Sequence, residues 1–128
     1  MKELKKILYA EDEPDVQTIV ELTIQTMSDY EIKICNNGKK LLECVEEYKP
    51  DLILLDVMMP EMDGPTTFKT LINKENTKNI PVIFVTAKAQ VHEVEKFKEI
   101  GAWGVITKPF TLMNLCDEIQ EIWNSNNE

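Results

Sequence analysis

The stretch Asp51-Leu52-Ile53-Leu54-Leu55-Asp56-Val57-Met58-Met59-Pro60 decides how the chain is read. Four consecutive apolar residues, Leu52 to Leu55, run straight into a carboxylate. A continuous apolar run of this length predicts a strand buried on both faces, as in parallel sheets. Asp56 then stands where the strand ends, and in open α/β sheets ligands bind at the carboxyl ends of the strands. A plainer reading makes Asp56 the N-cap of the next helix. Val57 to Pro60 weaken it, because they separate Asp56 from any helix start. Pro60-Glu61-Met62-Asp63-Gly64 follows as a loop, punctuated by Pro and Gly.

Outward from this strand, the same alternation of elements repeats. Lys6 to Ala10 is a strand-like apolar run ending at Glu11-Asp12-Glu13, and Pro14 suits a first helical turn. Val16, Ile19, Val20, Thr23 and Met27 recur at helical spacing and predict a helix from about Asp15 to Met27. Ile32 to Cys35 alternates as a half-buried strand, and Asn36-Asn37-Gly38 is a turn. Leu41, Leu42, Val45 and Tyr48 form a helical stripe closed by Pro50. Pro65 opens a helix carrying Phe68, Leu71 and Ile72, and polar Asn73 to Asn79 reads as a loop. Ile80 to Val85 is a fourth strand ending at Thr86-Ala87-Lys88. Val91, Val94, Phe97 and Lys98 mark a helix closed by Gly101. Trp103 to Thr107 is a short fifth strand ending at Lys108-Pro109. A last helix carries Leu112, Leu115, Ile119 and Ile122 and ends at the polar tail Asn124 to Glu128. Strict strand–helix alternation predicts an α/β fold with a parallel sheet and helices on both faces.

The length of 128 residues suits one domain, spanning 1–128. A chain of this size buries enough surface to fold without disulfides or a structural metal. The net charge of −9 argues against direct binding of nucleic acid or anionic membranes. No apolar run reaches membrane-spanning length, and the charged start Met1-Lys2-Glu3 is not a signal peptide. Cys35, Cys44 and Cys116 lack the paired spacing of zinc ligands and read as reduced thiols of a cytoplasmic protein. His92 falls on the fourth helix, away from every strand end, and is read as a surface or helix-boundary residue, not a ligand or phosphodonor.

Four strand ends carry polar groups: Glu11 and Asp12, then Asp56, then Thr86, then Lys108. In a parallel sheet they share one edge. Each alone has a dull explanation, and capping is the better reading for Glu13. Together they would need several coincidences. Leu54 to Gly64 resembles the phosphorylation loop of the receiver domains of bacterial two-component response regulators. Ala10 to Pro14 resembles their acidic motif, Val85-Thr86-Ala87 their switch hydroxyl motif, and Thr107 to Phe110 their lysine motif. The resemblance spans almost the whole chain and is closest to single-domain, chemotaxis-regulator-like receivers.

The resemblance implies a flavodoxin-like, doubly wound sheet of five strands in the order 2-1-3-4-5. It implies that Asp56 accepts a phosphoryl group from a sensor histidine kinase or phosphotransfer protein. Asp12 and Asp56 would bind Mg²⁺, with Glu11 directly or through water and the Met58 backbone carbonyl as a further ligand. Thr86 and Lys108 would contact the phosphoryl group, and the peptide before Pro109 would be cis. The residues two beyond the acceptor and two beyond the switch hydroxyl, Met58 and Lys88, would modulate dephosphorylation. The protein would catalyse only its own phosphorylation and dephosphorylation and would signal through the face of the fourth helix, fifth strand and fifth helix. Homodimerisation on phosphorylation is compatible with this.

The residue types suit that chemistry. Crowded carboxylates need a cation, and oxygen-only ligands suit Mg²⁺. A carboxylate is a competent phosphoryl acceptor, and phosphoryl transfer needs mainly alignment and charge neutralisation. Two features depart from the family pattern. Glu11 stands where Asp is commoner, and Val105 stands where receivers usually carry an aromatic ring. Other readings fare worse. A haloacid-dehalogenase-like phosphatase places a second Asp two residues after the first, where this chain has Met58. A flavin carrier would want a phosphate loop where Glu11-Asp12-Glu13 stands. A receiver-like interaction module that is never phosphorylated would have no use for the intact acidic site.

Overall fold

The apolar runs become strands and the amphipathic stripes become helices. The computed structural model describes residues 3–87, 91–108 and 112–126. In chain order the elements are β1 (Lys6–Ala10), α1 (Pro14–Met27), β2 (Glu31–Cys35), α2 (Gly38–Tyr48) and β3 (Leu52–Asp56). There follow α3 (Gly64–Ile72), β4 (Val82–Thr86), α4 (Val91–Glu99), β5 (Gly104–Thr107) and α5 (Leu112–Asn126). The sheet order is β2-β1-β3-β4-β5, with every neighbouring pair parallel. This is the expected flavodoxin-like winding.

β3 and β4 lie inside the sheet and are buried at every position. Successive strand residues point to opposite faces, so β3 feeds two cores at once. Leu52 and Leu54 join Ile7, Tyr9, Ile24 and Ile119 on the side of α1 and α5. Ile53 and Leu55 join Leu8, Leu41, Phe68 and Phe84 on the side of α2, α3 and α4. Each fully buried side chain of this size contributes roughly 1.5–3 kcal/mol, so the central strands anchor both layers. No described helix is long and apolar enough to cross a membrane.

Some boundaries differ from expectation, each for a local reason. β4 starts at Val82; Pro81 has no N–H to donate to a ladder, although its carbonyl accepts from Ile53 N–H at 2.9 Å. α5 runs on to Asn126, whose side-chain amide donates to the Ile122 and Trp103 carbonyls. Glu13 occupies the N-cap of α1, yet its side chain makes no capping bond. The shorter side chains do cap: Asn37 accepts from Lys40 N–H and Asp63 from Thr66 N–H, both at 2.8 Å. α2 ends on Lys49 in the left-handed region (φ 53°), with buried Pro50 behind it.

Candidate functional site

The register of the sheet assembles the site. Ala10 pairs with Leu55, Asp56 with Val85, and Thr86 with Thr107. Glu11, Asp56, Thr86 and Lys108 therefore emerge side by side at one edge. The ligand oxygens of Glu11, Asp12 and Asp56 all lie within 4.8 Å of one another. Glu11 is fully buried and Asp56 nearly so, while Asp12 is half-buried.

Lys108 bridges two of these acids. Its Nζ lies 2.7 Å from Glu11 Oε1 and 3.0 Å from Asp56 Oδ2. Its backbone N–H donates to the Thr86 carbonyl at 2.7 Å, tying the end of β5 to the end of β4. Met58 N–H donates to Asp56 Oδ1 at 3.3 Å, so the loop after β3 lines the site, while the Met58 side chain is largely exposed. Gly64 lets α3 close over that loop: a Cβ there would stand 2.4 Å from the Asp56 carbonyl oxygen. Lys88 and Pro109 lie outside the described residues.

One contributor was not singled out from the sequence. Tyr9, fully buried on β1, donates its hydroxyl to Glu11 Oε1 at 2.8 Å. Glu11 Oε2 accepts from Glu13 N–H at 3.1 Å. Both Glu11 oxygens are thus engaged by protein donors. No described residue donates to the Asp12 carboxylate. The signal for Tyr9 was present: a phenol two residues before Glu11, on the same strand face, needs a buried acceptor.

The electrostatics follow from burial and crowding. Burial, reinforced by the neighbouring Glu11 charge, pushes the Asp56 carboxyl up to about 6 against the pull of Lys108. Burial also opposes ionisation of Glu11, but hydrogen bonds from Lys108, Glu13 N–H and Tyr9 outweigh it and hold that carboxyl below its usual range. Burial disfavours the Lys108 ammonium, and its bonds to Glu11 and Asp56 more than restore it. The Tyr9 hydroxyl is pushed far up by burial and by Glu11. Three acids against one lysine, with oxygen-only donors gathered this closely, fit a hard divalent cation such as Mg²⁺.

Comparisons with known proteins point to one family. A family model for the response regulator receiver domain matches residues 7–120. The chain belongs to the response regulator receiver family. Receiver domains are the signalling switches of two-component systems. They work with histidine kinases or phosphotransfer proteins and with output domains. This receiver is 35% identical over 107 residues to the alkaline phosphatase synthesis transcriptional regulatory protein PhoP of Bacillus subtilis, covering 84% of the chain and 43% of that protein. The match spans between 24% and 49% of the length of four such curated relatives. Among solved structures, chemotaxis response regulator CheY4 of Vibrio cholerae superposes with a TM-score of 0.85 at 26% identity, over 94% of this chain and 99% of that one. The receiver domain of sensor histidine kinase PA1611 from Pseudomonas aeruginosa, solved with a magnesium ion in its active-site cleft, gives 0.81 at 26% identity, over 95% and 99%.

Proposed function

We propose that residues 1–128 act as one receiver unit in which Asp56 is the phosphoryl acceptor. An Asp56 oxygen bonds to phosphorus while the bond from phosphorus to the donor's imidazole nitrogen breaks, and that nitrogen keeps the electron pair. Asp12 and Asp56 hold Mg²⁺, with the Met58 carbonyl as a further ligand and Glu11 in a supporting place. Mg²⁺ supplies neutralisation of the charge gathered on the phosphoryl oxygens. Lys108, already paired with Asp56, follows the transferred group as its counter-ion, and Thr86 donates a hydroxyl hydrogen bond to it. Met58 and Lys88 are not amides or carboxylates able to orient an attacking water, so the phospho-form is long-lived for a receiver. The donor is a sensor histidine kinase or phosphotransfer protein. The reader is an output partner on the face of α4, β5 and α5.

The observation that carries this reading is the convergence of Glu11, Asp12, Asp56 and Lys108 at one sheet edge. Intact-mass analysis after incubation with a small phosphodonor and Mg²⁺ tests it. One phosphoryl group is expected on the wild-type chain and none on Asp56→Asn. A full phosphoryl shift in that variant removes the assignment.

A further inference from the structure

The end of β2 holds a feature that phosphoryl chemistry does not use. Cys35 Sγ on β2 lies 3.2 Å from Cys44 Sγ on α2. That is closer than the roughly 3.5–4.0 Å at which two smaller carbon atoms make optimal contact. Both are free thiols on the α2 side of the sheet. Cys116 is on α5 and packs in the opposite layer. A disulfide needs the two sulfurs about 1 Å closer, near 2.05 Å.

We propose that Cys35 and Cys44 are a redox modification site, closed to an intramolecular disulfide by a hydroperoxide and reopened by a dithiol. Cys44 is the more exposed partner and meets the oxidant first. Its sulfur attacks the peroxide O–O bond, keeps one oxygen as a sulfenic acid and releases the other as water. The Cys35 sulfur then attacks the sulfenic sulfur, the S–S bond forms, and the remaining oxygen leaves as a second water. Two thiols and one hydrogen peroxide give one disulfide and two waters; the sulfurs lose two electrons and the peroxide gains them. Burial, with Cys44 adjacent, pushes the Cys35 thiol up to about 12 and lowers its thiolate fraction, so Cys35 is not the thiol that meets the oxidant first.

The position links this chemistry to the acidic edge. The Cys35 carbonyl accepts from Glu11 N–H at 3.0 Å. Next to it, Asn36 Oδ1 accepts from Gln17 Nε2, which also donates to the Glu11 carbonyl. A disulfide would fasten α2 to the strand end that carries these bonds.

The test treats the reduced full chain with hydrogen peroxide and reads intact mass, then a peptide map. The expected product is a monomer lighter by two hydrogens, with Cys35 joined to Cys44, Cys116 still alkylatable, and full reversal by dithiothreitol. Cys116→Ser should give the same product with a higher urea midpoint in the oxidised form. Cys44→Ser should lose it. The wild-type map decides the matter even if a variant fails to fold. Oxidation of Cys116 ahead of the pair overturns the proposal, as do disulfide-linked dimers or sulfinic acid at Cys44 without a Cys35 link.

Discussion

At the scale of single residues, Glu11 and Asp12 are adjacent acids in different surroundings. Glu11 points inward, where Tyr9, Glu13 N–H and Lys108 occupy its oxygens. The extra methylene of Glu, relative to the commoner Asp, is matched by a buried phenol that receives the longer arm. Tyr9→Phe keeps the ring and deletes that donor. It should cost about 1.5–3 kcal/mol, the scale of a hydrogen bond to a charged group. Urea unfolding measures the loss, and an unchanged midpoint would mean that the phenol contributes nothing. Asp12 has no described donor on its carboxylate, which is why the proposed function gives it the cation. Glu11→Ala should weaken Mg²⁺ binding about tenfold, as loss of a supporting group does, and Asp12→Ala should weaken it further. Isothermal titration gives the order, and the reverse order would exchange the two roles.

At the scale of elements, what could be read in advance depended on where the information lay. β3 was legible because both of its faces are buried, so its whole run is apolar. The acids after β1 and β3, Thr86 and Lys108 were legible because a parallel sheet sends every strand end to one edge. The Tyr9–Glu11 bond was not, because it depends on side-chain placement inside a strand whose pattern looks merely apolar. Trp103 precedes Val105 by two residues but packs on Trp123 of α5, ring centroids 5.4 Å apart, in the layer opposite the one that Val105 packs against. Sequence distance alone does not show that division. Gly64 was visible only as loop punctuation, whereas its structural task is close approach. Gly64→Ala would drive a Cβ to 2.4 Å from rigid backbone at the Asp56 carbonyl. The overpacking should cost about 1–3 kcal/mol and slow phosphoryl uptake, because the Asp56 loop must shift. At Gly38 a Cβ would instead meet the fully buried Thr67 hydroxyl, with the Met62 carbonyl and Thr67 Cβ at 3.1 Å, and not the Asp56 backbone. Gly38→Ala should therefore leave phosphorylation kinetics nearer to wild type. Equal slowing in the two variants would sink this distinction.

At the scale of the whole molecule, the site reaches the α4 side of the sheet through packing. Asp56 is joined to Lys108, and Lys108 N–H to the Thr86 carbonyl, so a displacement at Asp56 is felt at the ends of β4 and β5. Below Thr86 on β4, Phe84 meets Phe97 of α4 with ring centroids 4.5 Å apart, and Phe68 of α3 at 5.5 Å. Val105 packs against the same cluster. A ligand shifts an equilibrium only through contacts that differ between the two states. Val105 offers no ring to rotate, and its branched side chain has few χ1 options. The differing contacts must then come from the Thr86 and Lys108 strand ends, with α4 following through Phe84 and Phe97. Hydrogen exchange with and without a phosphoryl mimic and Mg²⁺ should change across Val91–Glu99 of α4 and leave the interior of α2 unchanged. Tryptophan fluorescence should change less, since both rings lie in the α5 layer. Phe97→Ala should keep phosphoryl uptake at Asp56 while reducing the α4 response, because it removes the ring that couples helix to strand. If α4 exchange is the same in both states while an output partner still tells them apart, the signal leaves by another face, and the chain of contacts through Phe84 and Phe97 is only core.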